Sequence, residues 1–410
     1  MRLRQQPLVF SLDTVRKLAL HKQQLDCRPR VADKQAVLSI VHRIGLLQLD
    51  SINVVARSHY LVILSRAGLY QSADLDSLLY PDRRLFEQFA HAACLIPIED
   101  YRYFAPLILS RRAQPHRKLA RLGASPQDFL CAVLMQIRNS GPLRSRDFED
   151  PRAQRGSWWD WKPAKLALEI LFEHGYLMVD RRVNFQRYYD LTEQILPTNA
   201  EIPAVELSDW SEWATLRSVE CLGVATISQI ADYYRQVKTE VTPAVQSLVT
   251  KGDLIPAVVE GWKNTAYLSV TDLPIAREIE AGMHEPAVTT FLSPFDNLIW
   301  DRKRTHDLFH FDYRIEVYKP INRERQYGYY VLPILNKGHL VGRLDAKAHR
   351  GLKRLIIRAL YLEPDQQIEE GLLNDLQRAL YEFAAFNQCG SISIERSEPE
   401  GLAHVLRQRF

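Results

Sequence analysis

Four positions that recur at a constant spacing set the strongest limit on what this chain can fold into. Leu171, Gly175, Leu177 and Leu191 are matched 77 residues later by Leu248, Gly252, Leu254 and Leu268. In each copy a helical stretch (KLALEILFEHG; PAVQSLVTKG) runs into a glycine suited to a left-handed cap, and residues patterned as a two-stranded hairpin follow (YLMVDRRVNFQRYYDL; DLIPAVVEGWKNTAYL). Upstream of each lie a short helical element (SRDFED; TISQIADYYR) and a longer helix (PQDFLCAVLMQIRNSG; SEWATLRSVECLG). Helix, short helix, helix, hairpin is the order of a winged helix-turn-helix, present here at least twice.

The flanks extend this plan. Ser11 and Asp13 cap TVRKLALHKQQL, and Asp33 precedes KQAVLSIVHRIGLL, whose Val37, Ile40, Val41, Ile44 and Leu47 recur at helical spacing up to about Gly45. INVVARSHYLVIL is rich in β-branched residues and predicts an extended segment, so the N-terminal region is a candidate third, diverged copy. From about 309 the period changes. FHFDYRIEVY alternates as a strand, a hairpin turns at Asn336-Lys337-Gly338, and KRLIIRALYLE supplies another strand. An amphipathic helix through GLLNDLQRALYEFAAF and a short SISIER strand complete a small β-barrel or strongly curved sheet. Pro274, Pro286 and Pro294 mark the connector before it.

Composition removes several classes of function. At 410 residues and 46% hydrophobic the chain holds more than one core, and no apolar run approaches the roughly 18 residues of a membrane span. MRLRQQPLVFSLD has no apolar region followed by a small-residue cleavage site, so a soluble, cytoplasmic protein is expected. Cys27, Cys94, Cys131, Cys221 and Cys389 show neither paired nor zinc-ligand spacing, and HExxH, GxGxxG and GxxxxGK[ST] are missing. Charge is segregated: residues 101–187 carry 16 Lys+Arg against 8 Asp+Glu, whereas residues 188–300 carry 6 against 16. Arg outnumbers Lys 39 to 14, and a guanidinium fork grips phosphate through paired hydrogen bonds, so the basic block points to a polyanion partner.

One polar pair interrupts an apolar run. In LLQLDSINVVARSHY, Gln48 and Asp50 are two apart and would share a face of an extended segment while Leu49 points inward. A carboxylate there can hold and polarise a water and stabilise an oxocarbenium-like sugar, and a neutral amide beside it can orient either. A Gln and an Asp at a helix terminus serve equally well as caps.

LLQLDSINVVARSHY, WWDWKP, LSPFDNLIWDRKR and RQYGYYVLP…GHLVGRLDAKAHR together resemble the AlkZ/YcaQ family of winged-helix DNA glycosylases, most closely its YcaQ branch. The likeness runs over essentially the whole chain. It implies a mixed, mainly α fold of three tandem winged helix-turn-helix units followed by a C-terminal β-barrel-like domain. The divisions expected are 1–122 with the Gln-x-Asp motif, a basic unit at 123–200, an acidic scaffold unit at 201–285, and 286–410. The resemblance also implies a monofunctional DNA N-glycosylase of base excision repair that removes N7-alkylated guanine, unhooks interstrand crosslinks and leaves an abasic site. Gln48 and Asp50 stand at the family's catalytic motif, no metal or cofactor is implied, and the partner is damaged duplex DNA, met by a monomer at the nucleoid. No lysine falls between Lys34 and Lys118, which fits hydrolysis without a Schiff base.

Other residues are candidates for support and binding. Asn53 and His91 could assist the pair, although His91 is followed by Ala92 where similar proteins carry Glu. Arg57, Ser58 and His59 could meet the sugar-phosphate backbone, and Arg144, Arg146, Arg152 and Arg155 surround Trp158, Trp159 and Trp161 in an arrangement that can stack on bases or anchor a core. Arg181, Arg182 and Arg187 fall on the first predicted hairpin. Arg343, Lys347, His349 and Arg350, with Asp345, alternate along a strand and could hold DNA from one face. The rival to an enzyme is a non-catalytic winged-helix regulator or architectural DNA binder in which Gln48 and Asp50 only cap.

Overall fold

A computed structural model describes residues 8–149, 163–196, 205–319 and 325–410. With 46% of residues helical against 20% in strands, the chain is mixed and mainly α, as expected. It forms two compact units, one made of residues 1–75, 90–94 and 214–410 and the other of residues 76–89 and 95–213. None of the described helices is long and apolar enough to cross a membrane.

Both copies of the repeat contain the expected helix and hairpin. The helix Pro163–Glu173 leads through Gly175 (φ +67°) to an antiparallel hairpin, Leu177–Val183 and Gln186–Leu191. The helix Lys238–Lys251 leads through Gly252 (φ +87°) to Leu254–Val259 and Ala266–Ser269. Upstream, TISQIADYYR supplies the helix Ile227–Tyr233, closed by a capping box in which Thr226 and Gln229 satisfy each other's backbone amides. SRDFED differs. Among the described residues it is a turn, with Arg144 N–H donating to Asp147 Oδ2 at 2.9 Å.

The second hairpin is the middle of a larger sheet. Leu8–Phe10 pairs parallel with Ala257–Val259, and Val224–Thr226 pairs antiparallel with Ala266–Leu268. Phe10, Val15, Leu18, Leu268 and Leu308 bury together beneath it. In the other unit, Ile137, Leu168, Phe172, Val179 and Tyr189 form the core.

Two expected extended segments are corrected. INVVARSHYLVIL contributes the helix Ser58–Ala67, in which Val62 and Ile63 are fully buried. Tertiary burial overrides the β-branched preference there. FHFDYRIEVY has no strand: Phe311 and Tyr313 are buried, but Glu316 turns in to accept the backbone N–H groups of Gln326, Tyr327 and Gly328 at 3.1, 2.8 and 3.2 Å. Alternating burial is met without a pairing partner.

The C-terminal sheet runs in the order Thr289–Phe291, Val331–Asn336, His339–His349, Arg354–Leu362, Ser391–Ile394, with Ser397–Glu398 also on Arg354–Leu362. The first and last strands of that path do not pair, so the expected barrel is an open sheet among the described residues. The hairpin turns at Lys337 (φ +44°) and Gly338 (φ +89°), where Asn336 faces His339. The helix Glu370–Phe386 covers the sheet, its Phe383 ring 5.2 Å from that of Phe291.

Candidate active site

The helix Lys34–Ile44 ends at Gly45 (φ +69°), where a Cβ would lie 2.6 Å from the Tyr234 hydroxyl. Backbone angle and space both require glycine. The chain then runs extended, with Leu47 and Leu49 buried while Gln48 and Asp50 are partly exposed, which is the shared face the two-residue spacing predicts. Three backbone hydrogen bonds fix this ribbon. The Tyr233 hydroxyl donates to the Ile44 carbonyl (2.6 Å), Asn297 Nδ2 to the Leu46 carbonyl (2.7 Å), and Leu49 N–H to the Ala93 carbonyl (2.8 Å).

Asn297 belongs to the LSPFDNLIWDRKR segment, and its neighbours explain why that segment can act as an anchor. Arg66 and Asp296, both 0% exposed, pair through two hydrogen bonds of 2.7 and 2.9 Å, and Arg66 also donates to Gln23 Oε1 at 3.0 Å. Asp296 Oδ1 also accepts the Leu298 N–H at 3.0 Å, and such added bonds offset part of the cost of burying the pair, although Arg66 Nε has no hydrogen-bond partner among the described residues. Ser293 Oγ lies 2.8 Å from Ser58 Oγ, joining the same segment to the helix that follows the Gln-x-Asp ribbon.

Trp300, in that segment, packs against the His91 ring with centroids 3.9 Å apart and the planes tilted by 42°. His91 Nε2 lies 2.9 Å from Gln48 Oε1. Burial, helped by the Arg235 charge, pushes the His91 pKa down to about 3, so the ring is neutral at physiological pH. A neutral ring facing an amide oxygen must carry its proton on Nε2 and donate it. Cys94 Sγ lies 3.8 Å from the Nδ1 that this tautomer leaves as acceptor. Gln48 is thereby oriented with its NH₂ group directed away from His91.

Asp50 has two different oxygens. Oδ1 accepts the Ile52 N–H at 2.7 Å, closing an Asx turn, while Oδ2 has no protein partner among the described residues. Burial raises the Asp50 pKa above the ordinary aspartate value, and the Ile52 N–H opposes that rise only in part. The Tyr318 and Tyr330 hydroxyls face this carboxylate closely enough that its charge, added to their burial, raises their own pKa values. The arrangement holds one anionic oxygen at an accessible edge beside an oriented amide.

The remaining candidates separate into surface and interior. Asn53 and Arg350 are exposed and joined, with Arg350 Nη2 donating to Asn53 Oδ1 (2.9 Å) and to the Val55 carbonyl (2.6 Å). Lys347 and His349 are exposed, Arg57 half-buried. Ser58 and His59 are 0% and 4% exposed and present no face to a phosphate, because the segment carrying them is helical and packed. Arg343 is likewise interior, bonded to Glu363 and to the Asp312 carbonyl and lying 4.1 Å from the Phe311 ring centre. A bulge at Asp345/Ala346 shifts the strand register between it and Lys347, so the expected single basic face is not formed.

Of the three arginines on the first hairpin, Arg181 is the exposed one, over the Tyr188 ring at 4.6 Å. Arg182 grips Glu87 through two bonds of 2.7 Å, and Arg187 Nε reaches the same carboxylate at 3.2 Å. Arg146 is exposed and Arg144 pairs with Asp147 at 3.2 Å. Arg152, Arg155, Trp158, Trp159 and Trp161 lie outside the described residues. Among the described residues no cluster of three or more His, Cys, Asp or Glu could hold a metal.

Sequence reasoning passed over Tyr233, Arg235, Asn297 and Trp300, which lie 185 to 252 positions beyond Gln48 in the chain. It also passed over Glu87, for which a signal existed. Arg182 and Arg187 are directly opposed on the hairpin, and two like charges facing each other call for an anion.

A family model described as DNA glycosylase AlkZ-like matches residues 41–386. Streptomyces sahachiroi DNA glycosylase AlkZ superposes with a TM-score of 0.64 at 15% identity, covering 95% of this chain and 100% of that one.

Proposed function

The chain belongs to the AlkZ-like DNA glycosylase family, and from that premise we propose that it hydrolyses the N-glycosidic bond of N7-alkylated guanine in duplex DNA and leaves an abasic site. The same reading places it in the YcaQ branch and includes the unhooking of interstrand crosslinks. It assigns winged-helix units to residues 1–122, 123–200 and 201–285, ahead of a sheet domain at 286–410.

The observation that carries the reading is the division of labour within Asp50. With Oδ1 committed to the Ile52 amide, the carboxylate cannot swing, and Oδ2 is the atom left to meet water and sugar. An N7-alkylguanine is already cationic and needs no strong acid to leave. What remains is to stabilise positive charge developing at C1′ and to deliver water, and a single fixed anion does both. Partial burial strengthens that anion's field and raises its basicity. Gln48, its oxygen occupied by His91, offers N–H donors to the water or to a sugar oxygen. His91 acts as a positioning residue in this scheme.

The rival capping role draws on the same Oδ1 bond, so the test must read chemistry. Purified protein is incubated with a duplex bearing one N7-methylguanine and then treated briefly with warm alkali beside a no-protein control, only scission above that control being counted. Strand scission at that position is expected, with no adduct trapped by borohydride. Absence of scission at saturating protein would remove the glycosylase reading, and a trapped adduct would remove the monofunctional one.

A further inference from the structure

Three stretches of chain enclose a pocket of about 310 Å³: residues 53–60, the Arg350–Lys353 turn, and the turn at Phe386–Gln388. Arg350 and Lys353 line it together with Arg57, and no Asp or Glu is among the lining residues. Arg350 hydrogen-bonds to uncharged acceptors, the Asn53 amide oxygen and the Val55 carbonyl, which leave its charge in place. Lys353 meets no carboxylate among the described residues and is held by its backbone alone, its carbonyl accepting the Gly390 N–H at 2.8 Å. Arg66, Arg182 and Arg343, by contrast, each face a carboxylate. Like charges converging in one recess repel, and an anion entering it relieves that repulsion. The mixture of forked and point-charge donors suits a phosphate.

The pocket is close to the candidate reacting centre. Asn53 follows Asp50 by three residues, so their Cα atoms are at most about 11 Å apart. One DNA strand advances about 3.4 Å along the duplex axis per phosphate. A phosphate held at the Asn53 side of the pocket is therefore on the scale of a few nucleotides from a sugar that meets Asp50.

We propose that this pocket binds a backbone phosphate of the DNA strand whose sugar is presented to Asp50, and so sets the register of that strand. The identity of the strand rests on the glycosylase reading; anion binding rests on the pocket's own charge and geometry. Lys353 sits at φ +47°, a conformation asparagine adopts readily, so Lys353→Asn removes the charge without forcing the turn. Lys353→Arg keeps the charge.

The affinity of each protein for a short undamaged duplex is measured by anisotropy between about 50 and 200 mM salt, with melting temperatures as a folding control. The parent and Lys353→Arg are expected to share one slope of log affinity against log salt. Lys353→Asn is expected to bind several-fold more weakly, with a slope shallower by about one. Inorganic phosphate at matched ionic strength is expected to displace the duplex from the parent and from Lys353→Arg more than from Lys353→Asn. An unchanged slope in Lys353→Asn overturns the proposal, and so does inorganic phosphate that binds the parent without displacing the duplex, which would assign the pocket to a free anion. If the parent releases no N7-methylguanine while the change in slope persists, the phosphate site stands and the glycosylase reading falls.

Discussion

The two helix–hairpin units share a spacing and differ in what surrounds them. The hairpin at 254–269 is flanked by Leu8–Phe10 on one side and Val224–Thr226 on the other, so both its edges are paired and its backbone is held by neighbours. The hairpin at 177–191 is a two-stranded sheet whose edge takes a single bridge among the described residues, from Leu143 to Tyr189, and charge does much of the equivalent work there. Glu87 is 3% exposed and takes hydrogen bonds from Arg182, Arg187 and the Tyr80 hydroxyl. An isolated hairpin is marginal in water, and a shared buried anion is one means of fixing it. One sequence pattern has thus been stabilised by strand pairing in one place and by electrostatics in the other, so arginines that read as a DNA-facing surface are partly structural.

The sharpest way to break this comparison is Glu87→Ala. Removing one member of a buried charge network leaves the others desolvated, and a loss of about 3–5 kcal/mol is expected in the unit containing the 177–191 hairpin. The 254–269 hairpin has no such dependence, so denaturant unfolding should separate into two transitions. A single transition with unchanged midpoint would show that the charges are incidental. The same residue gives a pH signature. Burial by itself would raise the Glu87 pKa, but the Arg182 and Arg187 interactions outweigh it and hold the carboxyl below the usual range. A depressed pKa contributes stability that is present above the unfolded value of about 4.3 and is lost as pH falls through the folded one. Acid should therefore destabilise the parent in this unit, while Glu87→Gln should show a flatter profile below about pH 4.

A smaller effect sharpens the contrast at equivalent positions. Gly175 and Gly252 both have positive φ, but a Cβ at Gly175 would lie 2.4 Å from Ile108 Cγ2, whereas nothing stands within 4 Å of one at Gly252. Gly252→Ala should cost about 1 kcal/mol for the backbone alone, and Gly175→Ala a further 1–3 kcal/mol or so for the clash. Equal losses in thermal unfolding would mean that the first unit relaxes as easily as the second. The smallest effect is expected at Arg181. Its exposed guanidinium should be removable with less than about 0.5 kcal/mol change in stability, and any loss should show only in the salt dependence of DNA binding.

These differences also mark how far the sequence alone could be read. The repeat, its capping glycines and the turn at Lys337-Gly338 were legible because local backbone geometry imposes them. The shared face of Gln48 and Asp50 was legible because a period of two is enough to place it. Residues 58–67 misled because Val and Ile serve a buried helix as well as a strand. FHFDYRIEVY misled because alternation records burial and says nothing about pairing. The anchors of the candidate site, Tyr233, Asn297 and Trp300, were invisible for a different reason: their role comes from contacts across some 190 to 250 positions, which no local pattern encodes. Family resemblance pointed to LSPFDNLIWDRKR, and the structure supplies a physical reason for it, since this segment holds the backbone beneath the pair.

The central claim is that the carboxylate of Asp50 is needed for chemistry and not for folding. Asp50→Asn keeps an oxygen able to accept the Ile52 N–H and removes a charge that burial disfavours, so its melting temperature at neutral pH should equal or exceed that of the parent. The deciding measurement is the single-turnover rate of N7-methylguanine release from duplex DNA, taken beside that melting curve and the affinity for the same duplex. The account predicts a loss of at least about a hundredfold in rate with folding and affinity preserved. Release at the parent rate by a fully folded Asp50→Asn protein would contradict it.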